Sequence, residues 1–297
     1  MNNLKINVGG IYKEVLSTKL IVGGAWKDVK KLDINVEGIW KCVEKGTIPI
    51  TINGWQSNTK ILAGLTDVGV NSAPCYLQIN NESYLIVGNY DGTFRGYKWS
   101  GYSWAYYSAI VNGLRNNGTG ATPCYLQINN ESYLISGGWN GMFYGYKWSG
   151  STWVANSAII NGLSDVGAVS APCYLLNNES YLITGENKGL FYGYKWSGTT
   201  WVTNSAIVNG LSDTGDSSKL CYIKIKDEIY SITGASDGLF HGYKWSGTNW
   251  VTNSAIVNGL IDVGYNSAPN YMEIGEERYL IIGDYDGLFH GYKLLTE

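Results

Sequence analysis

Charged side chains are scarce in this chain of 297 residues, since Asp, Glu, Lys and Arg together make up 15% of it. The formal net charge is −3 and the basic residues are scattered, so the basic stripe that a nucleic-acid backbone requires is missing. Apolar runs long enough to span a membrane, a secretory signal and helical apolar spacing are also missing. We therefore expect neither nucleic-acid binding nor membrane insertion, and we expect the chain to fold in a cytoplasm or to leave it by another route.

The cysteine pattern argues against a disulfide framework. Four of the five cysteines, Cys75, Cys124, Cys173 and Cys221, occupy one repeated position, and Asn270 takes the fifth copy. A disulfide framework pairs cysteines within a small unit, and one cysteine per repeat does not suit that pairing. A metal ring is the alternative, but no close cysteine pair or nearby histidine accompanies these positions. We expect buried thiols on strands, and we predict no metal and no cofactor.

The chain does contain a repeat close to Gly-(Leu/Thr/Met)-Phe-x-Gly-Tyr-Lys-(Trp/Leu). Successive copies are 49, 48, 49 and 49 residues apart. A fixed period of this size indicates one supersecondary unit that cannot bury its apolar faces without a neighbour. With 39 glycines and 14% aromatic residues, the composition favours short strands joined by glycine-containing turns. The five copies are Gly92–Trp99, Gly141–Trp148, Gly189–Trp196, Gly238–Trp245 and Gly287–Leu294.

Each repeat is predicted to form four antiparallel strands, and four such strands repeated radially are the blade of a β-propeller. The last copy stops after its third strand, at Leu294. Its missing fourth strand is found near the start of the chain, because Trp55–Leu65 aligns with Trp250–Leu260. Trp55 is therefore predicted to complete the blade that ends at Leu294, which removes an exposed sheet edge. The strands predicted for the first copy are Ala73–Ile79, Ser83–Gly88, Thr93–Trp99 and Trp104–Val111.

The sequence thus predicts an all-β protein in which residues 49–297 form a closed five-bladed β-propeller. Residues 1–48 carry a different repeat, with a period of 14 residues, which predicts three short β-hairpins around Gly turns. Tyr12, Trp26 and Trp40 occupy one column of this repeat. Three small hairpins bury little surface by themselves. We expect them to serve attachment or oligomerisation, by docking on the propeller, on a second copy or on a larger assembly.

The propeller repeat resembles a known family. Residues Tyr84–Phe94 and their four counterparts are similar to the FG-GAP/VCBS type of propeller repeat, a resemblance that covers residues 50–297. Many such repeats carry an Asp-x-Asp-x-Asp-Gly loop for calcium, which this chain lacks, so the resemblance implies no calcium here. The architecture is also similar to tachylectin-type lectins, and the hairpins resemble short repeats of phage-tail and other virion-surface proteins. The loops that match the calcium position hold Asp67, Asn116, Asp165, Asp213 and Asp262, which we expect to bind backbone amides in turns.

Binding residues are predicted at one end of the propeller, which we call the first end. It carries the turns between the second and third strands and the loops that join blades, and its turns differ from copy to copy, whereas those of the second end are nearly constant. One position inside the third strand also varies, and its side chains either line pockets or pack between sheets. The candidate ligand-binding residues are Tyr90, Asp91, Arg95, Trp139, Asn140, Tyr144, Asn187, Lys188, Tyr192, Asp237, His241, Tyr285, Asp286 and His290.

Two further features have competing interpretations. The two histidines lie on separate blades, so they suit local hydrogen bonds better than a metal site. The tryptophan pairs that flank each Ser-Gly turn either stack on sugars or pack the blades, and their repetition in every blade favours packing. These pairs are Trp99/Trp104, Trp148/Trp153, Trp196/Trp201 and Trp245/Trp250.

The leading functional prediction is a non-catalytic surface-recognition protein, a lectin-like or receptor-binding component of a virion or phage tail. Its expected partners are a cell-surface glycan or receptor, other virion proteins bound through residues 1–48, and further copies of itself. Its expected location is the virion surface, with the cytoplasm or cell surface as alternatives. A purely structural decoration protein is the second interpretation. A propeller glycoside hydrolase is the third, disfavoured because the innermost strands of the first three copies lack carboxylates and near-identical copies argue against one unique active centre.

Overall fold

The computed structural model describes residues 51–296, without 169, 213–214, 216–217 and 235, together with strand backbones within residues 5–44. The chain divides into two compact units, Met1–Ile50 and Thr51–Glu297. The first unit contains three two-stranded antiparallel sheets, as the 14-residue repeat predicts. Tyr12, Trp26 and Trp40 take the same register position in their hairpins. The strands are β1 (Lys5–Val8), β2 (Ile11–Glu14), β3 (Lys19–Val22), β4 (Ala25–Asp28), β5 (Lys31–Val36) and β6 (Ile39–Glu44).

The second unit is a ring of five four-stranded antiparallel sheets, which confirms the predicted propeller. Blade 1 contains β8 (Ala73–Ile79), β9 (Glu82–Gly88), β10 (Phe94–Trp99) and β11 (Trp104–Tyr106). Blade 2 contains β12 (Thr122–Ile128), β13 (Glu131–Gly137), β14 (Phe143–Trp148) and β15 (Trp153–Ala155). Blade 3 contains β16 (Ala171–Asn177), β17 (Glu179–Gly185), β18 (Phe191–Trp196) and β19 (Trp201–Thr203). Blade 4 contains β20 (Lys219–Ile225), β21 (Glu228–Gly234), β22 (Phe240–Trp245) and β23 (Trp250–Thr252).

Blade 5 joins the two ends of the propeller unit. Three of its strands come from the end of the chain, and the outermost comes from before blade 1. Trp55 pairs with Leu294 in the antiparallel register that the sequence alignment predicts. The closure prediction is therefore confirmed, and no blade is left with a missing outer strand. The strands are β24 (Ala268–Ile274), β25 (Glu277–Gly283), β26 (Phe289–Thr296) and β7 (Ile52–Ser57).

The fourth strand of blades 1 to 4 is shorter than predicted. In blade 1 the strand ends at Tyr106 and a 3₁₀ segment, Ser108–Val111, replaces the second half of the predicted strand. The same segment follows the other outer strands, and the preceding Asn side chain caps four of the five, as Asn156 does by accepting from the Ile159 amide. The buried Ile of each segment, such as Ile159, gave the apolar pattern of a strand. In the described part of the chain no helix has the length and apolar character needed to cross a membrane.

Adjacent blades are joined by a tryptophan on each outer strand, and we call these contacts the seams. The indole Nε1 of Trp250 donates to the Ile207 carbonyl of the preceding blade at 2.8 Å. Trp250 is only 2% exposed, so the seam combines a satisfied hydrogen bond with burial of a large apolar ring. The other four seams join Trp55 to Ile256, Trp104 to Ile61, Trp153 to Ile110 and Trp201 to Ile159.

Glycine is required where the chain passes a seam. Gly64 has φ +87, and a Cβ atom at this position would lie 1.9 Å from the Trp104 carbonyl oxygen. Both the backbone conformation and the close approach exclude other residues there. The Gly-Leu pair that follows each 3₁₀ segment therefore has a structural explanation.

The innermost strands β8, β12, β16, β20 and β24 surround a central channel whose wall explains the cysteine column. Cys124 Sγ accepts a hydrogen bond from the Tyr174 amide of the next blade at 3.2 Å. In the fifth copy Asn270 Oδ1 accepts from the Tyr76 amide at 2.8 Å, so the amide oxygen replaces the thiol. Burial raises the pKa of Cys75 to about 12, which keeps this thiol protonated. The four cysteines of this column are free and buried, and they accept hydrogen bonds from the next blade, as Cys75 and Cys221 do from Tyr125 and Tyr271.

Candidate functional site

The first end is built by contacts between strand turns and blade-joining loops. The Tyr90 amide donates to the Val70 carbonyl at 2.8 Å, and the Trp139 amide donates to the Thr119 carbonyl at 2.8 Å. In each case the turn after a blade's second strand is bound to the loop that enters that blade. The structure therefore places the variable turns on a backbone framework that is the same from copy to copy.

Two aromatic pairs lie on this end. The rings of Tyr90 and Trp139, from adjacent blades, meet edge to face with centroids 4.9 Å apart. The rings of Tyr265 and Tyr285 do the same at 5.6 Å. Tyr90, Tyr265 and Tyr285 are 38%, 52% and 44% exposed, so these pairs leave apolar ring surface in contact with solvent. Such a surface suits the apolar face of a sugar ring.

Other predicted site residues are held by local hydrogen bonds. Arg95 Nη1 donates to the Asp67 carbonyl at 2.6 Å, and Asn140 Nδ2 donates to the Tyr144 hydroxyl at 3.0 Å. Among the described residues, no hydrogen bond, ion pair or ring contact joins the remaining candidates to one another, so the structure does not gather them into one cluster. Those that lie exposed on the turns or the third strand are Asp91, Asn187, Lys188, Tyr192, Asp237 and Asp286, whereas His241 and His290 are half-buried.

Two buried carboxylates at the first end were not selected from the sequence. Glu186 and Asp284 follow the second strands of blades 3 and 5, and the equivalent residues elsewhere are Asn89, Gly138 and Ala235. They are 6% and 5% exposed. The sequence shows them as two acidic residues at a repeat position where the other three copies are neutral.

The two carboxylates have different surroundings. Asp284 Oδ1 accepts from the Leu288 amide at 2.9 Å, and Oδ2 lies 2.9 Å from Nε2 of His290. Glu186 makes no hydrogen bond or ion pair with its side chain among the described residues. Tyr192 occupies in blade 3 the register position that His290 occupies in blade 5. The pKa of Tyr192 is raised, first by desolvation and then by the charge of Glu186.

At the second end, the glutamate that begins the second strand of each blade is paired with a lysine. Glu82 accepts from Lys98 at 2.6 Å and from the Tyr84 hydroxyl at 2.6 Å, and the lysine contact followed by the tyrosine contact lowers its pKa. This arrangement leaves no free acid in the second-strand positions of that end. The equivalent ion pairs are Lys147–Glu131, Lys195–Glu179, Lys244–Glu228 and Lys293–Glu277.

The loop aspartates and the tryptophan pairs serve the fold. Asp67 Oδ1 accepts from the Gly69 amide at 2.7 Å, closing a turn. In each tryptophan pair the outer-strand member forms a buried seam, and its partner packs on it, as Trp99 does on Trp104 with centroids 5.1 Å apart. The same turn is closed by Asn116, Asp165 and Asp262, while Asp213 lies outside the described residues.

The fold is shared with several solved propellers, although no family model and no curated protein matches the chain. RS223-Beta-xylosidase matches with 10% identity and a TM-score of 0.53, covering 77% of this chain and 92% of that one. CoXyl43, a GH43 beta-xylosidase/alpha-arabinofuranosidase from a compost microbial metagenome, matches with 8% identity and a TM-score of 0.53, covering 82% and 94%. The SapL1 lectin, in complex with alpha methyl fucoside, matches with 13% identity and a TM-score of 0.49, covering 78% and 82%.

These comparisons correct the leading functional prediction. The prediction of a non-catalytic virion or phage-tail protein is wrong as the first choice, because the matched propellers are mostly GH43 glycoside hydrolases. The argument that near-identical copies exclude an active centre fails, since Glu186 and Asp284 break that symmetry at the first end. No family match supports the FG-GAP/VCBS or phage-tail resemblance. The expected partners, location and role of residues 1–48 stay predictions.

Proposed function

We propose that this propeller is a carbohydrate-active protein of the glycoside hydrolase kind, which takes its glycan at the first end. The observation that carries the proposal is the pair of buried carboxylates, Glu186 and Asp284, set among five otherwise similar turns. The shared fold with propellers described as beta-xylosidases supports it. The exposed Tyr90–Trp139 and Tyr265–Tyr285 pairs supply flat apolar surfaces near these turns.

Glycoside hydrolysis uses two carboxyl groups whose surroundings assign them different tasks. Asp284 is held by the Leu288 amide and paired with His290, contacts that suit a carboxylate used as a base or for charge stabilisation. Glu186 is buried without such partners, an environment that suits a carboxyl group used as a proton donor. His290, predicted from the sequence as a ligand-binding residue, contacts Asp284, and Tyr192, also predicted, takes the equivalent position in the blade of Glu186.

The test is turnover of aryl β-xylosides, aryl α-arabinofuranosides and xylotriose by the full chain. Glu186→Gln and Asp284→Asn keep the size of each side chain, and each is expected to lower kcat by about 100-fold or more. Glu179→Gln is the matched control, because Glu179 belongs to the same blade but lies exposed at the second end beside Lys195. It is expected to leave kcat unchanged.

Two outcomes would contradict the proposal. One is absence of turnover on every substrate while circular dichroism and thermal unfolding show a folded protein. The other is turnover that survives in both Glu186→Gln and Asp284→Asn, which would mean that these carboxyl groups do not act in the reaction.

A further inference from the structure

The first residue of the innermost strand is cationic in one blade only. Lys219 is the first residue of β20, and its equivalents in the other blades are Ala73, Thr122, Ala171 and Ala268. Lys219 pairs with Gly234 in the same register as Ala73 pairs with Gly88, so the backbone around it follows the repeat. The difference is in the side chain alone, at the first-end mouth of the channel.

This lysine is buried without a counter-ion. It is 7% exposed, and its Nζ donates to the Asn266 carbonyl at 3.3 Å. No carboxylate of the described residues forms an ion pair with it. A buried ammonium that is not paired is unfavourable, so a site of this kind favours an added negative charge.

Two asparagines extend the same site into blade 5 and blade 1. Asn266 and Asn71 each lie two residues before an innermost strand, both with φ +59, and they are 3% and 6% exposed. Asn266 Nδ2 donates to Asn71 Oδ1 at 2.9 Å. Asn71 Nδ2, a donor, and Asn266 Oδ1, an acceptor, are left buried without a partner among the described residues. A buried amide donor normally has an acceptor, so its neighbour in the functional state is expected to be an oxygen.

The channel that Lys219 lines has room for a ligand group. Its cavity of about 170 Å³ is lined by the first four residues of the five innermost strands, Lys219 among them. One water needs roughly 10–15 Å³ of such volume, so the cavity has more room than a carboxylate group needs.

We propose that the first-end mouth of the channel binds the carboxylate of an acidic sugar, with Lys219 supplying the cation and Asn71 an amide donor. The assignment to a sugar rests on the proposed function, whereas the preference for a carboxylate rests on the buried charge. The site lies at the same end as Glu186, Asp284 and the aromatic pairs, so one glycan can extend from the turns to the channel mouth.

The titration of Lys219 supports this arrangement. Burial lowers its pKa to about 8, and a bound anion would raise that pKa again. Burial raises the pKa of other groups that line the same channel, that of Cys173 to about 12 and those of Cys221 and Tyr222 as well. Glu186, which follows the neighbouring strand β17, makes no ion pair with it. Binding is therefore expected to weaken as the pH rises through about 8.

The test is calorimetric titration of the full chain with D-glucuronate, with D-glucuronamide and acetate as probes that lack the charge or the sugar. Glucuronate is expected to bind more tightly than both. Lys219→Ala, which introduces the residue found in three other blades, is expected to weaken it by about 10- to 100-fold. Lys224→Ala, on the exposed far end of the same strand, is the matched control and is expected to bind normally.

Each alternative result would overturn the proposal. Unchanged glucuronate affinity in Lys219→Ala would show that the lysine does not bind the ligand. Equal affinity for glucuronamide would show that the site has no preference for a charged group. Acetate binding as tightly as glucuronate would show that the sugar ring contributes nothing to binding. Thermal unfolding of Lys219→Ala is the control for misfolding. The variant is expected to unfold at no lower temperature than the wild type, so that weaker binding reflects loss of the lysine. The titration needs no turnover, so a failure here leaves the hydrolase test unaffected, and the reverse also holds.

Discussion

The seams and the first end are made from the same five copies, yet the copies agree at one and differ at the other. At every seam an outer-strand tryptophan donates to an isoleucine carbonyl of the preceding blade. At the first end, the residue after the second strand is Asn89, Gly138, Glu186, Ala235 or Asp284. Because ring closure requires each blade to meet the next in the same way, seam residues have little freedom. Residues that no neighbouring blade requires can differ.

Functional residues are therefore expected at positions where one blade departs from the repeat. Lys219 places a charge in a column where the other four copies have Ala or Thr, and Glu186 and Asp284 place charges in a column where the other three copies are neutral. All three are buried, and burying an ionisable group costs free energy that a packed apolar residue would not. A repeat that tolerates such residues at the first end, but not at its seams, is consistent with a role for them in binding or catalysis.

The largest expected effect is on stability, and it compares a tryptophan at a seam with a tryptophan at the first end. Trp250→Ala removes a side chain that is 2% exposed and its hydrogen bond to Ile207, so it should lower the free energy of unfolding by about 3–5 kcal/mol. Trp139→Ala removes a half-buried ring and its contact with Tyr90, and should cost about 1–2 kcal/mol. Chemical denaturation of both variants measures the two values. Equal losses would contradict the comparison.

A smaller effect is expected in the channel wall, where the repeat itself offers a substitute. Cys124→Ala leaves the Tyr174 amide without its acceptor and should cost about 1–3 kcal/mol. Cys124→Asn copies the fifth blade, in which Asn270 accepts from Tyr76, so its loss should be the smaller of the two. Denaturation curves of the two variants decide the order. A larger loss for Asn than for Ala would show that the thiol and the amide are not interchangeable.

The sequence was sufficient for the architecture because the period fixes it. The alignment of Trp55 with Trp250 placed one strand in the last blade, and closure then followed from the pairing of Trp55 with Leu294. The 3₁₀ segments were missed because their buried isoleucine, such as Ile110, gives the same apolar signal as a strand. The Asn-Ser pair before most of these segments was the available sign of a capped turn.

The candidate site was harder to predict from the sequence, because the burial of its charged side chains depends on which repeat positions face the channel mouth. Ranking positions by variation selected exposed turn residues such as Asp91 and Lys188, which the structure leaves apart. Lys219 was visible as the one charge in its column and Glu186 as one of two acids in its column, but the absence of an ion-pair partner for either was not. That property depends on the neighbouring blades, and no pattern within one repeat records it.

The smallest expected effect concerns residues that repeat but stay exposed. The hydrogen bond from Lys147, followed by that from Tyr133, lowers the pKa of Glu131 below its ordinary value of 4.5. Since the folded-state pKa is depressed, this contact stabilises the fold above pH 4.5, and the contribution disappears as the pH falls through the lowered value. Both side chains are more than a third exposed, so solvent screens the pair. Glu131→Gln should therefore unfold only slightly below the wild type at neutral pH, and at the same temperature near about pH 2. A difference that persists or grows on acidification would mean that the Glu131 side chain stabilises the blade through something other than its charge.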